Sequence, residues 1–315
     1  MPGDSVAVIG CGVIGLTTAI VAQDAGYRVT IYADRPPTET TSTKAAASFK
    51  PVDVAYTETT HRMLQLAWHD FARIGADAPQ ASGVRLHLHW DASSEPFDPP
   101  PYLEVMQDVR VEERPSIPGG YAFAYAYQTF LIDTTVFLPW LVRRFTAGGG
   151  QIAIRPTFES LDELARLSHG VVFNCTGLGA RELCADPAVA PIKGQIVLLD
   201  PTPDMDWSIK ADGFYVYPRA HDTVLGGTAE WNREDETVEH GAADAILRAN
   251  RRILPYLKPE HVRRTYAGLR PYRHGSVRLE LDSKFSTPIV HNYGHGGAGF
   301  TLCWGSARLA VDLIR

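Results

Sequence analysis

The apolar positions near the start of the chain form continuous runs instead of alternating with polar ones. Residues 6–9 form one such run, and the stretch that follows extends to about Ala25, a length that suits a helix. Residues 28–32, which contain Val29, Ile31 and Tyr32, predict a second strand. Continuous apolar strands are typical of parallel sheets that are covered on both faces. The pattern therefore predicts a strand, a helix and a second parallel strand, which together form a βαβ unit.

The pattern changes to period two in the middle of the chain. Residues 84–90 place Leu86 and Trp90 on one face and polar side chains on the other, which predicts a half-buried strand. His87 and His89 lie on the polar face, and we expect them to be solvated, because no third candidate metal ligand is close in the sequence. Four aromatic rings then share one face of a further strand, where we expect core packing: Tyr121, Phe123, Tyr125 and Tyr127.

Further periodic segments predict the remaining elements. The predicted helices cover residues 57–74, with Gly75 as the stop, residues 133–145, with Asp133 or Thr134 as the cap, and residues 242–257. The predicted strands cover residues 151–155, 171–174 and 194–199, and a hairpin joins 214–218 to 223–228. The chain thus passes from α/β patterning to β-rich segments and returns to α/β patterning twice.

The composition is that of an ordinary globular protein. Of the 315 residues, 45% are hydrophobic and 21% are charged, and the net charge is −6. Arginine and lysine are scattered, which argues against partners such as nucleic acid or an anionic membrane surface. We expect no membrane span and a cytoplasmic location, because the sequence shows neither an 18-residue apolar segment nor a leader-like stretch. The length suits two joined domains.

The four cysteines lie in or beside apolar runs and lack C-x-x-C spacing. They are Cys11, Cys175, Cys184 and Cys303. This distribution favours reduced core residues over a disulfide framework or a zinc site. We therefore predict no metal centre.

A glycine fingerprint joins the first predicted strand to the first helix. Gly10, Gly12 and Gly15 have G-x-G-x-x-G spacing, and Asp34 follows 19 residues after Gly15, at the end of the second strand. In dinucleotide-binding βαβ units these glycines permit a tight turn, close approach of the pyrophosphate and helix packing, and the acid binds the ribose 2′-hydroxyl. The fingerprint predicts NAD or FAD in preference to NADP, and it leaves the chemistry open.

Three other stretches are candidates for contact with the same nucleotide. Residues 45–48 are small, so their backbone N–H groups can approach a flat ligand, although the composition is equally compatible with a surface loop. Thr176 and Gly177 follow a buried strand at the carboxyl edge of the predicted sheet, where such sheets bind ligands. A glycine cluster at 294–299 precedes the last helix and suggests backbone amides directed at a polar cofactor edge.

The sequence resembles the D-amino-acid oxidase family of FAD enzymes over nearly its whole length. Five segments carry the resemblance: the fingerprint at 10–15, Tyr-Ala-Asp-Arg at 32–35, Asn-Cys-Thr-Gly at 174–177, Gly-Leu-Arg-Pro at 268–271, and His-Asn-Tyr-Gly-His-Gly-Gly at 291–297. The first recurs in many enzymes. The last two, in this order near the C-terminus, are highly specific.

The resemblance implies an α/β fold in which two domains are interleaved. A Rossmann-like FAD-binding domain would be assembled from residues 1–52, 133–190 and 258–315. A substrate-binding domain of α+β character, built on a largely antiparallel sheet, would use residues 53–132 and 191–257. This division agrees with the two departures from α/β patterning along the chain.

The resemblance also implies roles for individual residues. Arg270 would bind the substrate carboxylate with its planar fork, Tyr215 would reach the same carboxylate through its hydroxyl, and the Gly297 carbonyl would accept the substrate amine. Phe300 and Thr301 would stabilise the pyrimidine edge of the flavin. The residues expected to contact FAD are Gly10, Gly12, Val13, Ile14, Gly15, Asp34, Arg35, Thr41, Ser42, Ala45, Ala46, Ala47, Ser48, Thr176, Gly177, Arg270, Gly294, Gly296, Gly297, Gly299, Phe300 and Thr301.

The reaction implied by the resemblance is oxidative deamination of a D-amino acid. The α-hydrogen would leave as a hydride for flavin N5 while the neutral amine forms an imine, which hydrolyses to a 2-oxo acid and ammonia. Molecular oxygen would reoxidise the flavin and give hydrogen peroxide. We expect non-covalent FAD, because no Cys or His lies in a recognised attachment motif. A homodimer is compatible with this picture, but the sequence does not determine the oligomeric state.

Three departures from the family pattern bear on the substrate. The segment 198–214 is short and lacks a tyrosine that would act as a lid, and Ala298 stands where an aromatic residue is common. Val52 occupies a position at which related D-aspartate oxidases carry a polar or cationic residue. Together these residues favour neutral or apolar D-amino acids. Lys210, expected in the same short loop, is the candidate for contact with an acidic side chain.

Three other functions stay open from the sequence. One is a D-aspartate oxidase or another amine or glycine oxidase of the same fold. The second is an NAD-dependent dehydrogenase, although such an enzyme has no need to return to the cofactor with its last helix. The third is a flavin-binding protein without catalysis, which would not require Arg270 and Tyr215 together.

Overall fold

The computed structural model describes residues 5–202 and 205–315. Residues 1–4 and 203–204, which belong to the predicted segments 1–52 and 198–214, lie outside the described part. The strands in chain order are β1 (Ser5–Ile9), β2 (Arg28–Ala33), β3 (Val84–Ser93), β4 (Gln107–Glu113), β5 (Phe123–Ile132), β6 (Gln151–Ile154), β7 (Val171–Asn174), β8 (Val189–Leu199), β9 (Trp207–Ala211), β10 (Phe214–Pro218), β11 (Thr223–Gly226), β12 (Glu230–Trp231), β13 (Val262–Arg273), β14 (Arg278–Asp282) and β15 (Ile289–Tyr293). The helices are α1 (Val13–Asp24), α2 (Glu58–Asp77), α3 (Pro79–Ser82), α4 (Thr134–Ala147), α5 (Leu161–Ala165), α6 (Ala180–Leu183), α7 (His240–Asn250) and α8 (Gly299–Asp312).

Six strands form the sheet that contains the fingerprint, in the order β14-β15-β7-β1-β2-β6. All neighbours are parallel except the edge pair β14 and β15. Val6 and Val8 pack with α1 and α8 on one face, whereas Ala7 and Ile9 pack with α5 and α6 on the other. Both faces of β1 are therefore buried, which is why its sequence is continuously apolar.

Nine strands form the second sheet, in the order β12-β8-β11-β10-β9-β3-β5-β4, with β13 also paired to β8. Its pairs are antiparallel except for β3 with β9. The structure therefore has the predicted α/β fold class, with a mainly antiparallel second sheet. Strands β8 and β13 extend this sheet beyond the predicted substrate segments, since β8 starts at Val189 and β13 lies within 258–315. The division into domains stays a prediction.

Most predicted elements are present, and several differ in their bounds. Helix α2 continues through Gly75 to Asp77, α7 ends at Asn250 instead of residue 257, and β8 begins five residues before the predicted start. Asp133 caps α4, because its Oδ1 accepts the Thr135 N–H at 3.0 Å. The largest difference concerns 198–214, which is not one loop: it contains β9, and Lys210 lies on that strand.

The expectation that His87 and His89 are solvated is wrong. Both side chains are buried, and the His89 ring lies 5.2 Å from the Tyr127 ring and 6.0 Å from the Tyr217 ring. The Ser208 hydroxyl on β9 lies 2.5 Å from His87 Nε2 and 2.7 Å from His89 Nδ1. A period-two pattern identifies a polar face, but it does not show whether distant parts of the chain pack over that face.

The predicted aromatic face is largely buried. Tyr121, Tyr125 and Tyr127 lie in the core, and Phe123 is half-buried. Three of the cysteines are buried and Cys184 is half-buried, and all four are free thiols. No helix in the described ranges combines the length and the apolar character that a membrane crossing requires.

Candidate active site

A cavity of about 1000 Å³ runs from the fingerprint of the six-stranded sheet to the middle of the nine-stranded sheet. Most of the residues expected to contact FAD line it: Gly10, Gly12, Val13, Ile14, Asp34, Arg35, Thr41, Ser42, Ala45, Ala46, Ala47, Ser48, Thr176, Gly177, Arg270, Gly296, Gly297, Gly299 and Phe300. Tyr215 also lines it, at the end where Arg270 lies. Gly15, Gly294 and Thr301 lie behind the wall. The volume and the mainly apolar lining suit a large organic ligand.

The fingerprint end of the cavity has the geometry that a pyrophosphate requires. Gly10 has φ +102°, and a Cβ there would lie 2.6 Å from the Cys175 carbonyl oxygen. Gly12 caps α1 without a side-chain hydrogen bond, and residues 12–14 at the start of the helix line the cavity. Ser42 Oγ accepts the Val13 N–H at 3.0 Å, which ties the loop after β2 to this helix start. Such a helix N-terminus attracts an anionic ligand.

Two side-chain groups complete the nucleotide end. The Arg35 guanidinium donates to both oxygens of Asp34, with Nη2 2.7 Å from Oδ2. These hydrogen bonds lower the pKa of Asp34, which therefore stays ionised and able to accept a ribose hydroxyl. Directly after β7, Thr176 donates its hydroxyl to Asn174 Oδ1 at 2.8 Å, and Gly177 turns the chain with φ +59°.

The segment 45–50 crosses the middle of the cavity and is held from both sides. Strand β5 holds it through the Phe49 carbonyl, which accepts the Thr129 hydroxyl at 2.7 Å. Helix α8 holds it through Thr301, whose hydroxyl accepts the Lys50 N–H at 3.0 Å. Ala47 adopts φ +51°, a conformation that costs free energy and persists only where the surroundings fix it. The segment therefore presents a rigid backbone to a flat ligand, and Thr301 acts on that backbone from behind the wall.

At the other end, Arg270 and Tyr215 come together from β13 and β10. The Arg270 guanidinium lies over Gly194 of β8: a Cβ on this glycine would be 2.4 Å from Nη2. The Tyr215 ring lies over Gly226 of β11: a Cβ on this glycine would be 1.8 Å from the ring atom Cζ. The Tyr215 ring stacks on Tyr217 with a 4.4 Å centroid separation. Glycines on the neighbouring strands thus make room for both functional side chains.

Two oxygens of the protein contact the Arg270 guanidinium. Nη1 and Nη2 both donate to the Thr228 carbonyl at 3.2 Å. The Asp53 Oδ2 atom lies 3.6 Å from Nε, which is a loose ion pair. Burial raises the pKa of Tyr215, with the Arg270 charge opposing the shift. The Tyr215 hydroxyl therefore keeps its proton at neutral pH and can donate it to a carboxylate.

A buried ionic cluster behind the cavity wall was not predicted. Lys50 lines the cavity, and its ammonium pairs with Asp91 Oδ1. Asp91 Oδ2 accepts the hydroxyls of Tyr102 at 2.9 Å and Tyr127 at 2.8 Å, and His89 Nε2 lies 3.5 Å from Oδ1. Burial would raise the pKa of Asp91, but Lys50 and His89 together outweigh it and hold that pKa well below its ordinary value.

A sequence signal for Asp91 existed, because this residue continues the alternation of His87 and His89. The sequence pattern instead placed the end of the strand at Trp90. No comparable signal marks Lys50, since its partner lies on a strand 41 positions away. Ala298 also differs from expectation. It is fully buried in the core and does not line the cavity, so it leaves no extra space for a substrate.

The residues present fit FAD. His295 lines the cavity, is 2% exposed, and its Nε2 has no hydrogen-bond partner within the described residues. Burial lowers the pKa of His295 to about 3, so that the ring is neutral. The Nε2 atom is closed to solvent and so does not reach the cavity, and the fit to FAD rests on the lining itself: a glycine turn at a helix start suits a pyrophosphate, and the small residues 45–48 leave room for a flat ring. FAD would be held by the fingerprint, Asp34 and the segment 45–50.

Fold and cavity together define a flavin-dependent oxidoreductase, and comparison with known proteins gives the family. The family model described as FAD dependent oxidoreductase matches residues 5–313. A D-amino-acid oxidase of Rubrobacter xylanophilus is 38% identical over 317 residues, 97% of this chain and 94% of the relative. A D-aspartate oxidase of Homo sapiens is 32% identical over 334 residues, 98% of this chain and 94% of the relative. The chain belongs to the D-amino-acid oxidase family of FAD-dependent oxidoreductases.

Solved structures confirm the fold. The glycine oxidase of Bacillus cereus has a TM-score of 0.79 at 19% identity, covering 98% of this chain and 94% of that one. An L-proline dehydrogenase of P. horikoshii has a TM-score of 0.79 at 14% identity, covering 100% and 94%. The predicted family, fold class and FAD cofactor are therefore confirmed.

Proposed function

We propose that the protein oxidises D-amino acids to the corresponding imino acids, which hydrolyse to 2-oxo acids and ammonia. Molecular oxygen is the electron acceptor and hydrogen peroxide the product. The observation that carries the proposal is the convergence of Arg270 and Tyr215 at the end of the cavity opposite the fingerprint. A guanidinium and a protonated phenol side by side suit an α-carboxylate. The 38% identical D-amino-acid oxidase supports the same activity.

Each residue of this site has a binding or orienting role. Arg270 and Tyr215 hold the carboxylate, and the Gly297 carbonyl accepts a hydrogen bond from the amine. The bound FAD supplies the acceptor for the α-hydrogen, which leaves as a hydride. No side chain needs to remove a proton from carbon, because the amine lone pair forms the imine bond as the hydride leaves. The wall built from segment 45–50 excludes water from the reacting carbon.

We further propose that the preferred substrates have neutral side chains. Val52 and Ile196 line the substrate end of the cavity with apolar surface. The Lys50 ammonium is already neutralised by Asp91, so that a second substrate carboxylate would have to compete with a buried partner. Lys210 is not among the described residues that line the cavity. An unpaired carboxylate in such a site costs several kcal/mol, which corresponds to a loss of roughly a hundredfold or more in kcat/KM.

One observation favours D-aspartate oxidation as a second candidate. Lys50 lies in the cavity wall, and rotation of its ammonium away from Asp91 would present a cation to an acidic side chain. The D-aspartate oxidase of Homo sapiens is 32% identical to this chain. Under this alternative, Lys50→Met would lower the activity with D-aspartate far more than the activity with D-alanine, since any loss with D-alanine reports on the broken ion pair with Asp91.

Oxygen consumption with a substrate panel tests both candidates. D-valine, D-methionine, D-alanine and D-aspartate are compared at one pH, with L-alanine as the stereochemical control. We expect a neutral D-amino acid to have the highest kcat/KM. If D-aspartate is the best of the four, the neutral-substrate proposal is wrong and Lys50→Met is the next variant. If no D-amino acid is oxidised, the proposed activity itself is wrong.

A further inference from the structure

Asp53 stands beside the arginine of the active site, and neither the sequence pattern nor the family resemblance predicted it there. Its Oδ2 atom lies 3.6 Å from Arg270 Nε, and the two side chains are about one-fifth exposed, at 21% and 23%. Oδ2 also lies 3.0 Å from the point where Gly297 would carry a Cβ. Asp53 is not among the described residues that line the cavity, but its carboxylate lies directly beside two that do, Arg270 and Gly297.

The backbone holds Asp53 firmly in this place. A Cβ on Gly296 would lie only 1.8 Å from the Asp53 carbonyl oxygen. A Cβ on Gly297 would lie 2.9 Å from the Val52 carbonyl oxygen. Asp53 itself has φ +50°, a conformation that non-glycine residues adopt rarely. The two glycines thus serve to let the turn at 52–53 cross the start of α8, and the crossing brings the carboxylate to Arg270.

The hydrogen bonds of Arg270 show which face is left for a substrate. The guanidinium has two paired N–H faces, one formed by Nη1 and Nη2 and one formed by Nε and the nearer Nη. The Thr228 carbonyl accepts from both Nη1 and Nη2, so the first face is already satisfied. The second face remains for a two-bond contact with a carboxylate. Asp53 stands at that face, too far from Nε for a hydrogen bond.

We propose that Asp53 is the anionic half of a zwitterion site: it receives the α-ammonium group of the incoming amino acid while Arg270 takes the α-carboxylate. The bound ammonium group then loses one proton to solvent, which gives the neutral amine that the hydride step requires. The guanidinium and the carboxylate of the protein are adjacent, as are the carboxylate and ammonium of an α-amino acid. When an amino acid binds, the single ion pair of Arg270 with Asp53 is replaced by two, Arg270 with the substrate carboxylate and Asp53 with the substrate ammonium. A carboxylate without an amino group gains only the first pair and is repelled by the Asp53 carboxylate. The site therefore selects amino acids over simple carboxylates.

This inference rests on the proposed function and adds a recognition element for the substrate class. The charge of Asp53 acts on the substrate end of the cavity, since it also contributes to the raised pKa of Tyr215. A residue that only oriented Arg270 would affect every carboxylate ligand in the same direction. A residue that recognises the ammonium must affect D-alanine and propionate in opposite directions, because propionate is D-alanine without its amino group.

Asp53→Asn is the decisive variant, because asparagine has the same shape, loses the charge and tolerates positive φ. Asp77→Asn is the matched control, since Asp77 is exposed at the end of α2. KM for D-alanine and the competitive inhibition constant of propionate are measured for the FAD-loaded enzymes. Calorimetric titration with propionate gives its dissociation constant without turnover. We expect a KM for D-alanine about tenfold higher and an inhibition constant for propionate about tenfold lower.

Asp53→Glu should retain the wild-type order of the two ligands, because it keeps the charge. The proposal is overturned if both constants of Asp53→Asn rise, which would make Asp53 a residue that only orients Arg270. It is overturned equally if both constants fall or neither changes. If the wild-type enzyme oxidises no D-amino acid, the proposed function fails, whereas calorimetry with D-alanine and propionate still tests Asp53 separately.

Discussion

Loss of one charge from the ion pair of Lys50 and Asp91 should lower the free energy of unfolding more than any other single change of charge in the cavity wall. Only 6% of the Lys50 side chain and 9% of the Asp91 side chain are exposed. Asp91→Asn removes the charge and leaves the Lys50 ammonium buried without its counter-ion, which costs about 3–5 kcal/mol of unfolding free energy. The asparagine can still accept the hydroxyls of Tyr102 and Tyr127, so the loss reports mainly on the charge.

The pH dependence of this loss follows from Lys50. In the wild type, burial lowers the pKa of Lys50 to about 8, although Asp91 opposes the shift. In Asp91→Asn, the folded-state pKa of Lys50 falls below 8. Between that lower pKa and pH 8, Lys50 is deprotonated in the folded variant but protonated in the unfolded chain. The variant therefore gains stability at about 1.4 kcal/mol per pH unit in that window, while the wild-type contribution of Lys50 is constant. Above pH 8, Lys50 is deprotonated in both folded proteins, so its contribution to the free energy of unfolding changes equally with pH in the wild type and the variant.

Urea unfolding in saturating FAD, followed by circular dichroism at pH 6, 7, 8 and 9, measures this difference. We expect the deficit of Asp91→Asn to shrink up to pH 8 and then to stay level. Asp77→Asn serves as the control with an equal change of charge at an exposed position. A deficit below about 1 kcal/mol at pH 7, as is typical of an exposed pair, would refute the reasoning. A deficit that grows as the pH rises would do so as well.

Two further predictions concern the ligands of the cavity. Arg270→Ala should lower kcat/KM by about 30- to 1000-fold, because loss of a partly buried charged pair costs about 2–4 kcal/mol, and Arg270→Lys should restore only part of it, since an ammonium cannot form two parallel bonds. The FAD content of both variants should equal that of the wild type by absorbance, and a near-normal kcat/KM would remove Arg270 from the site. Acid precipitation should release all the flavin into the supernatant, whereas colour in the pellet would show a covalent bond.

Local patterns predicted the fingerprint half of the site well. The strand, turn and helix around Gly10 depend on residues that are adjacent in the sequence, and the structure contains them at the predicted places. Arg270 and Tyr215 were identified by resemblance, and the structure brings both to the cavity. Their setting was not predicted, because Gly194 lies on β8 and Thr228 in the connection from β11 to β12, and both reach Arg270 only through the pairing of the sheet.

The unpredicted residues share one property, which is that their partners are distant in the sequence. Lys50 meets Asp91 only because the segment 45–50 packs against β5, and β5 pairs with β3. His89 is buried among side chains of other strands, including Tyr127 of β5 and Tyr217 of β10. Asp53 reaches Arg270 only where the chain crosses the glycines at 296–297. Hydrophobic periodicity and motif spacing describe one helix or strand at a time. Contacts between residues of different elements therefore could not be predicted from them and became visible only in the structure.

The central claim is that this chain transfers a hydride from a D-amino acid to its own FAD. Anaerobic mixing of the FAD-loaded protein with D-alanine or D-valine, observed by flavin absorbance, tests it without dependence on oxygen. We predict loss of the oxidised flavin band with the D-enantiomer and no change with L-alanine. In Arg270→Ala, the band should be lost about 30- to 1000-fold more slowly with D-alanine at the same concentration, well below KM. Flavin that stays oxidised in the wild type with every D-amino acid, or that is reduced as readily by L-alanine, would contradict the claim.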